Sequence, residues 1–373
     1  MNKNSIVFPK GFLWGGTFSS YQIEKKNNKT NWDIWQNKGH IKDGSGLQIL
    51  NEVNINLFNE TVEKSKEMKF NSLSFSIEWA KIMPEINLIN YKKIESYKNF
   101  VLNLKNNNIE PIIILNYYTI PFWFEEKGGF SKEENLKFFI DYIRLILDYL
   151  GGLVDYYITF FEPVKFVEKS INNFFPPISE KENILENIYN LHKEAYLLIK
   201  KKNKYAKVSI TKNIEYNIDI KESNLLKYLD FISLSYEGNS DYETKKPYQK
   251  DDIGKIINPD FFYNSLLKLK KFDKPILIHS LGIADENDIY RSVFLINILS
   301  KMYFLLKNNI KIFGFLHKSI FDTFEWDNGF LAKYGLYEFD YENSKSHIRS
   351  SGKILSKIIK NNAIPAYLEK YTL

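Results

Sequence analysis

The chain has 373 residues, 44% hydrophobic and 16% aromatic, with 51 lysines and arginines against 45 aspartates and glutamates, a net charge of +6. That apolar content excludes a disordered chain, and the absence of cysteine excludes disulfide scaffolds, cysteine-ligated metals and thiol catalysis. Arg144, Arg291 and Arg349 are the only arginines, and the lysines lie scattered among asparagines, as in Lys200-Lys201-Lys202-Asn203-Lys204, which reads as a solvated surface and not as an arginine-rich nucleic-acid stripe.

In chain order, short apolar runs fall at 12–18, 72–78, 111–117, 155–161, 207–211, 231–236, 275–279 and 312–317. Helical patterns separate most of them, at 62–68, 94–104, 135–150, 188–200, 261–269 and 292–306, with another at 352–361. Strands that read as unbroken apolar runs are those buried on both faces. Eight of them alternating with helices point to an α/β fold, a (β/α)8 TIM barrel forming one domain over 1–373. The competing fold, a doubly wound open sheet, lacks its Gly-rich phosphate loop, since Gly15-Gly16 alone is weak. The start has no stretch of signal-peptide length, and no window of about 18 apolar residues occurs. The expectation is therefore a cytoplasmic protein with neither a membrane nor a nucleic-acid partner.

In such a barrel the site lies at the C-terminal ends of the strands. The residues there, with their flanks, form an ordered series: Phe8-Pro9-Lys10-Gly11-Phe12-Leu13-Trp14-Gly15-Gly16, Tyr21-Gln22, Asn31-Trp32-Asp33, Phe75-Ser76-Ile77-Glu78-Trp79, Ile120-Pro121-Phe122-Trp123, Phe161-Glu162-Pro163, Lys274-Pro275-Ile276, Phe324-Glu325-Trp326-Asp327-Asn328-Gly329-Phe330 and Tyr334-Gly335-Leu336. The series resembles glycoside hydrolase family 1, the retaining β-glycosidases, particularly their archaeal branch, over nearly the whole chain. The resemblance implies a small carbohydrate or glycoside ligand and no cofactor or metal. It also implies a shortened barrel, because 212–229 replaces a much longer family segment near the substrate entrance.

Retaining hydrolysis needs two carboxyl groups, one to protonate the leaving oxygen and one to attack the anomeric carbon. By the resemblance, Glu162 takes the acid/base position, while Phe161 replaces the asparagine beside it. The nucleophile position in Ile278-His279-Ser280-Leu281-Gly282 is Ser280, which carries no charge and has no evident base. Strand alternation turns His279 away from it. The partner arginine is Ser74, and the family His-Trp pair is Tyr117-Tyr118. Ser235 and Glu237 replace an asparagine and a tyrosine, and Lys318 replaces the tryptophan that floors the sugar site. Gln22, Glu325 and Trp326 keep the positions that would hold the sugar hydroxyls.

Loss of the carboxylate together with its arginine fits a rebuilt site, because an arginine left without its buried partner is costly. A Glu237–Lys318 ion pair is expected across the vacancy. The leading reading is a barrel that has lost the family reaction and binds a glycan or serves a structural role. A second reading keeps activity, with Glu162 as acid and Glu237 as a relocated nucleophile or base. A third uses Lys318 for an anionic sugar. The five histidines show no metal spacing, and His192 reads as a satisfied core residue.

Overall fold

The computed structural model describes residues 6–26, 29–46, 56–178, 183–216, 224–240 and 248–371. Residues 217–223, part of the shortened segment noted above, lie outside the described residues. Eight parallel strands close into a barrel: β1 (Leu13–Phe18), β2 (Ser72–Ser76), β3 (Glu110–Asn116), β4 (Tyr156–Phe161), β5 (Lys207–Asn213), β6 (Ile232–Tyr236), β7 (Ile276–Leu281) and β8 (Ile312–Lys318). All eight predicted runs form strands. Their interiors are buried on both faces, as in Ile112-Ile113-Ile114-Leu115, which is why the sequence lacks polar alternation there.

The longer outer helices are α1 (Leu57–Met68), α2 (Tyr91–Asn106), α3 (Leu136–Leu150), α4 (Pro163–Ile171), α5 (Ile184–Lys202), α6 (Pro259–Leu267), α7 (Arg291–Lys307) and α8 (Ser350–Asn361). Several begin earlier than the apolar periodicity suggests because asparagine side chains cap them. Asn56 accepts from the amides of Phe58 and Asn59, Asn90 from Lys93 and Asn258 from Phe261. Periodicity missed α4 altogether. It is nine residues long and starts at Pro163, where the ring's fixed φ suits the first helical position.

Two differences from the sequence reading bear on the site. The second strand stops at Ser76, because Glu78 caps the short helix Trp79–Ile82. The seventh runs on through Ser280 to Leu281, with register shifts against β8 on the way. Directly after it, Gly282 is required by packing, since a Cβ there would fall 2.4 Å from the Lys318 carbonyl oxygen.

Two of the three arginines are buried where lysine would not serve. Arg291 pairs with Asp288 at 2.7 Å and donates to the carbonyls of Asp285 and Lys333. Arg349 pairs with Asp322 at 2.7 Å and donates to the Gly335 carbonyl. An ammonium cannot reproduce that fork. Arg291→Lys is expected to cost about 2–3 kcal/mol by leaving a buried carbonyl unmet, read from urea denaturation. Among the described residues no helix is long and apolar enough to cross a membrane.

Candidate active site

The C-terminal strand ends bring most of the predicted residues into one contact network, in which acidic and basic side chains alternate. Glu162 ends β4 and opens α4, so Lys165, three residues on, lies over the same turn. The Lys165 ammonium is 2.9 Å from Glu162 and 3.1 Å from Glu237, which follows β6. Glu237 also meets Lys318 at 2.5 Å and Lys255 at 3.1 Å. Lys318, the last residue of β8, continues to Glu325 at 3.0 Å. The expected Glu237–Lys318 pair is thus present, inside a larger array of three carboxylates and three ammonium groups.

Burial alone would raise the Glu237 pKa, but Lys165, Lys318 and Lys255 outweigh it and hold the carboxyl well below its ordinary value. Burial would lower Lys165 and Lys318, yet the surrounding glutamates push both up, so both ammonium groups stay charged. Burial leaves Glu325 raised despite its contact with Lys318.

The surviving sugar-contact positions are engaged with one another. Gln22 is fixed by a capping box with Ser19. Its amide nitrogen donates to the Phe324 carbonyl and to Glu325 Oε1, at 2.5 and 3.2 Å. Trp326 stacks on Tyr21 with ring centroids 5.7 Å apart and packs against Tyr117 and Tyr118 at 5.6 and 5.0 Å. Tyr117 lies on Phe161 at 3.9 Å. Tyr118 and Ser235 donate to the two oxygens of Glu162, and Asn213 adds a third donor at 3.1 Å. Tyr118, Glu162 and Trp326 all adopt left-handed backbone, at φ of 67°, 48° and 56°. Non-glycine residues hold such angles at a cost of about 1–3 kcal/mol each, and they cluster where side chains must be aimed.

Ser280 does not join this array. It is fully buried, and its hydroxyl has no hydrogen-bond partner among the described residues. His279 instead reaches across the barrel. Its Nε2 shares a hydrogen bond with Ser74 Oγ (2.6 Å) and its Nδ1 one with Thr211 Oγ1 (2.8 Å). Neutral His279 therefore meets Ser74, where the family pattern calls for an arginine, while Ser280, at the carboxylate position, stays unpartnered among the described residues. Strand alternation predicts that His279 turns away from Ser280, and among the described residues the two side chains share no hydrogen bond.

Three side chains were missed. Lys165 had a usable signal, its i,i+3 spacing from Glu162. Asn213 ends β5, two residues beyond the predicted run at 207–211, and is not one of the family positions carried over. Lys255 comes from a loop distant in sequence from Glu237, and no local pattern marks it.

The cavity left among these residues is about 50 Å³, bounded by Lys165, Lys318, Glu237, Glu325 and Trp326. That holds a few waters, whereas small-molecule sites run to about 300–1,000 Å³. A roomier cavity of about 580 Å³ lies on the flank against α6 and α7, and none of the predicted site residues lines it. Among the described residues, no group of three or more His, Asp or Glu side chains is placed to hold a metal ion.

The buried histidines predict a pH effect. Burial pushes His192 down to about 4 and His279 and His317 to about 3. The unfolded chain takes up these protons near pH 6.5, before the folded one does, so stability falls as pH drops from about 6.5 toward 3. The loss should reach several kcal/mol for the three together. Urea midpoints measured from pH 7 to pH 4 should fall, and His279→Asn should flatten the slope.

The model of glycosyl hydrolase family 1 matches residues 4–230 and 227–364. Similar proteins include beta-glucosidase A of Acetivibrio thermocellus, 24% identical over 96% of this chain and 99% of that protein. That alignment runs over 446 positions, so the relative carries internal segments absent here. The chloroplastic galactolipid galactosyltransferase of Arabidopsis thaliana is 22% identical over 88% of this chain and 60% of its own length. Among solved structures, the beta-glycosidase from Pyrococcus horikoshii superposes with a TM-score of 0.89 at 26% identity, covering 99% of both chains. The beta-glucosidase from Thermotoga maritima in complex with deoxynojirimycin gives 0.86 at 22% identity, covering 96% of this chain and 100% of that one.

Proposed function

The chain belongs to glycosyl hydrolase family 1, and from that premise we propose that it is a member whose sugar site is closed by its own side chains. In this reading retaining hydrolysis of β-glycosides is lost, and the barrel acts as a non-catalytic binding or structural protein. One observation carries it: the Lys165 ammonium bridges Glu162 and Glu237, so the carboxyl at the acid/base position is held in a buried ion pair by the chain's own side chain. Ser280 supports it, since a buried hydroxyl without a base neither attacks nor stabilises an oxocarbenium-like centre.

The second reading, with Glu237 as a relocated nucleophile, has one observation in its favour. The two Lys165 contacts laid end to end cap the separation of the nearest oxygens at about 6 Å. That is close to the roughly 5–5.5 Å of retaining enzymes and short of the roughly 6.5–9.5 Å that an inverting water needs. For this reading Lys165 must leave and Glu237 must give up its ammonium partners. The anionic-sugar reading has less support, because Glu237 and Glu325 already neutralise Lys318.

The test is turnover of aryl β-glucoside, β-galactoside and β-mannoside, with and without azide or formate. The proposal expects none under either condition. Turnover without added anions would favour the Glu237 reading. Turnover only with them would mean that the site admits a sugar and lacks nothing but its nucleophile.

A further inference from the structure

The end of the barrel opposite the site carries a repeated feature. Four successive turns enter β5, β6, β7 and β8, and each places a lysine over an aromatic ring. Lys204 lies 4.9 Å from the Tyr205 ring centroid, Lys227 5.3 Å from Tyr228, Lys271 5.0 Å from Phe272 and Lys307 5.3 Å from Tyr303. All four lysines are exposed, and none has a carboxylate partner among the described residues. Of the acids nearby, Asp230 pairs with Lys200 at 2.9 Å, Asp273 with Lys311 at 2.7 Å and Asp148 with Lys202 at 3.1 Å, while Asp155 accepts from the Asn203 amide at 3.2 Å. The turns adjoin one another. Tyr196 of α5 packs on Tyr228, Lys274 donates to the Leu229 carbonyl, and the Asp273–Lys311 pair ties the third turn to the fourth. Tyr205 is 72% exposed and Phe304, beside Tyr303, 52%, so large apolar groups stand out in the same arc.

Lysines near helix C-termini offset the helix dipole, and that accounts for Lys307. The same holds for Lys227 and Lys271, in the last turns of 3-10 segments, but it does not account for the exposed rings set in the same arc, Tyr205 and Phe304. We propose that this arc docks the barrel on the surface of a bilayer containing anionic phospholipid. The lysines would face the headgroups, and Tyr205 and Phe304 would enter the interfacial region. Lysine, a point charge on a flexible stem, suits mobile headgroups, whereas nucleic acid favours the arginine forks this chain lacks. Exposed aromatic rings suit the water–lipid boundary. The sequence-level reading of these lysines as ordinary solvated charge is revised for this arc alone, and the proposal stands whether or not the barrel turns over a glycoside.

The test is co-sedimentation of the full chain with vesicles of phosphatidylcholine alone or with 30% phosphatidylglycerol. The protein should pellet with the anionic vesicles in about 50 mM salt, be released by about 500 mM, and stay in solution with the neutral ones. The quadruple variant K204E/K227E/K271E/K307E should weaken binding at least a hundredfold while still melting cooperatively, a few degrees lower because Lys307 no longer offsets the helix dipole. The control K38E/K92E/K127E, at the opposite end of the barrel, should bind as the unaltered chain does. Equal pelleting with neutral vesicles, no pelleting at all, an equal loss in the control, or retention of duplex DNA without vesicle binding would each overturn the proposal.

Discussion

Glu237→Gln is expected to lower stability by about 3–5 kcal/mol, the scale for breaking a buried ion pair by removing one partner. Glu237 is 4% exposed and faces Lys165, Lys318 and Lys255. Without its charge Lys165 keeps Glu162 and Lys318 keeps Glu325, but three ammonium groups then converge on a neutral amide. Lys318→Met should also destabilise, by stranding Glu325. The double variant should cost about 2 kcal/mol less than the two single changes together, because each removes what the other leaves unpaired. Urea denaturation of the four proteins gives the coupling directly. Strict additivity would mean that the array does not act as a unit.

The second large effect comes from returning the family's carboxylate to its place. Ser280→Glu is expected to destabilise by about 3–5 kcal/mol at pH 8 and to restore no turnover. The position is fully buried, and among the described residues its hydroxyl has no hydrogen-bond partner to meet a new charge. The residue that should supply it is Ser74, which shares its hydrogen bond with His279. A carboxyl in that setting has a raised pKa, so it is protonated in the folded protein at pH values where the unfolded chain is still ionised. The penalty should therefore shrink as pH falls from 8 toward 5. Ser74→Arg combined with Ser280→Glu should recover part of the stability. It should not restore activity, because His279 still spans Ser74 and Thr211 and Lys165 still separates Glu162 from Glu237.

The eight strands were legible because burial on both faces writes itself as unbroken apolar runs. The position of the site followed from motif order. Its state was harder to read. Glu237 and Lys318 stood out as charges at strand ends, and their pairing could be anticipated. Lys165 takes its place from α4, a nine-residue helix absent from the expected elements, although its i,i+3 spacing from Glu162 was there to be read. What spacing could not supply is the partners of His279, Ser74 and Thr211, which stand on strands far off in sequence. The closed cavity is a sum of many side-chain placements, with Tyr117 on Phe161 and Trp326 on Tyr21, and no single motif carries it.

The most direct measurement is calorimetric titration with deoxynojirimycin, the ligand named for the Thermotoga maritima beta-glucosidase structure. A cavity of about 50 Å³ filled by paired charges predicts no heat of binding at millimolar ligand and no shift in melting temperature. Saturable binding with one site per chain, abolished by Glu162→Gln, would contradict a closed sugar site.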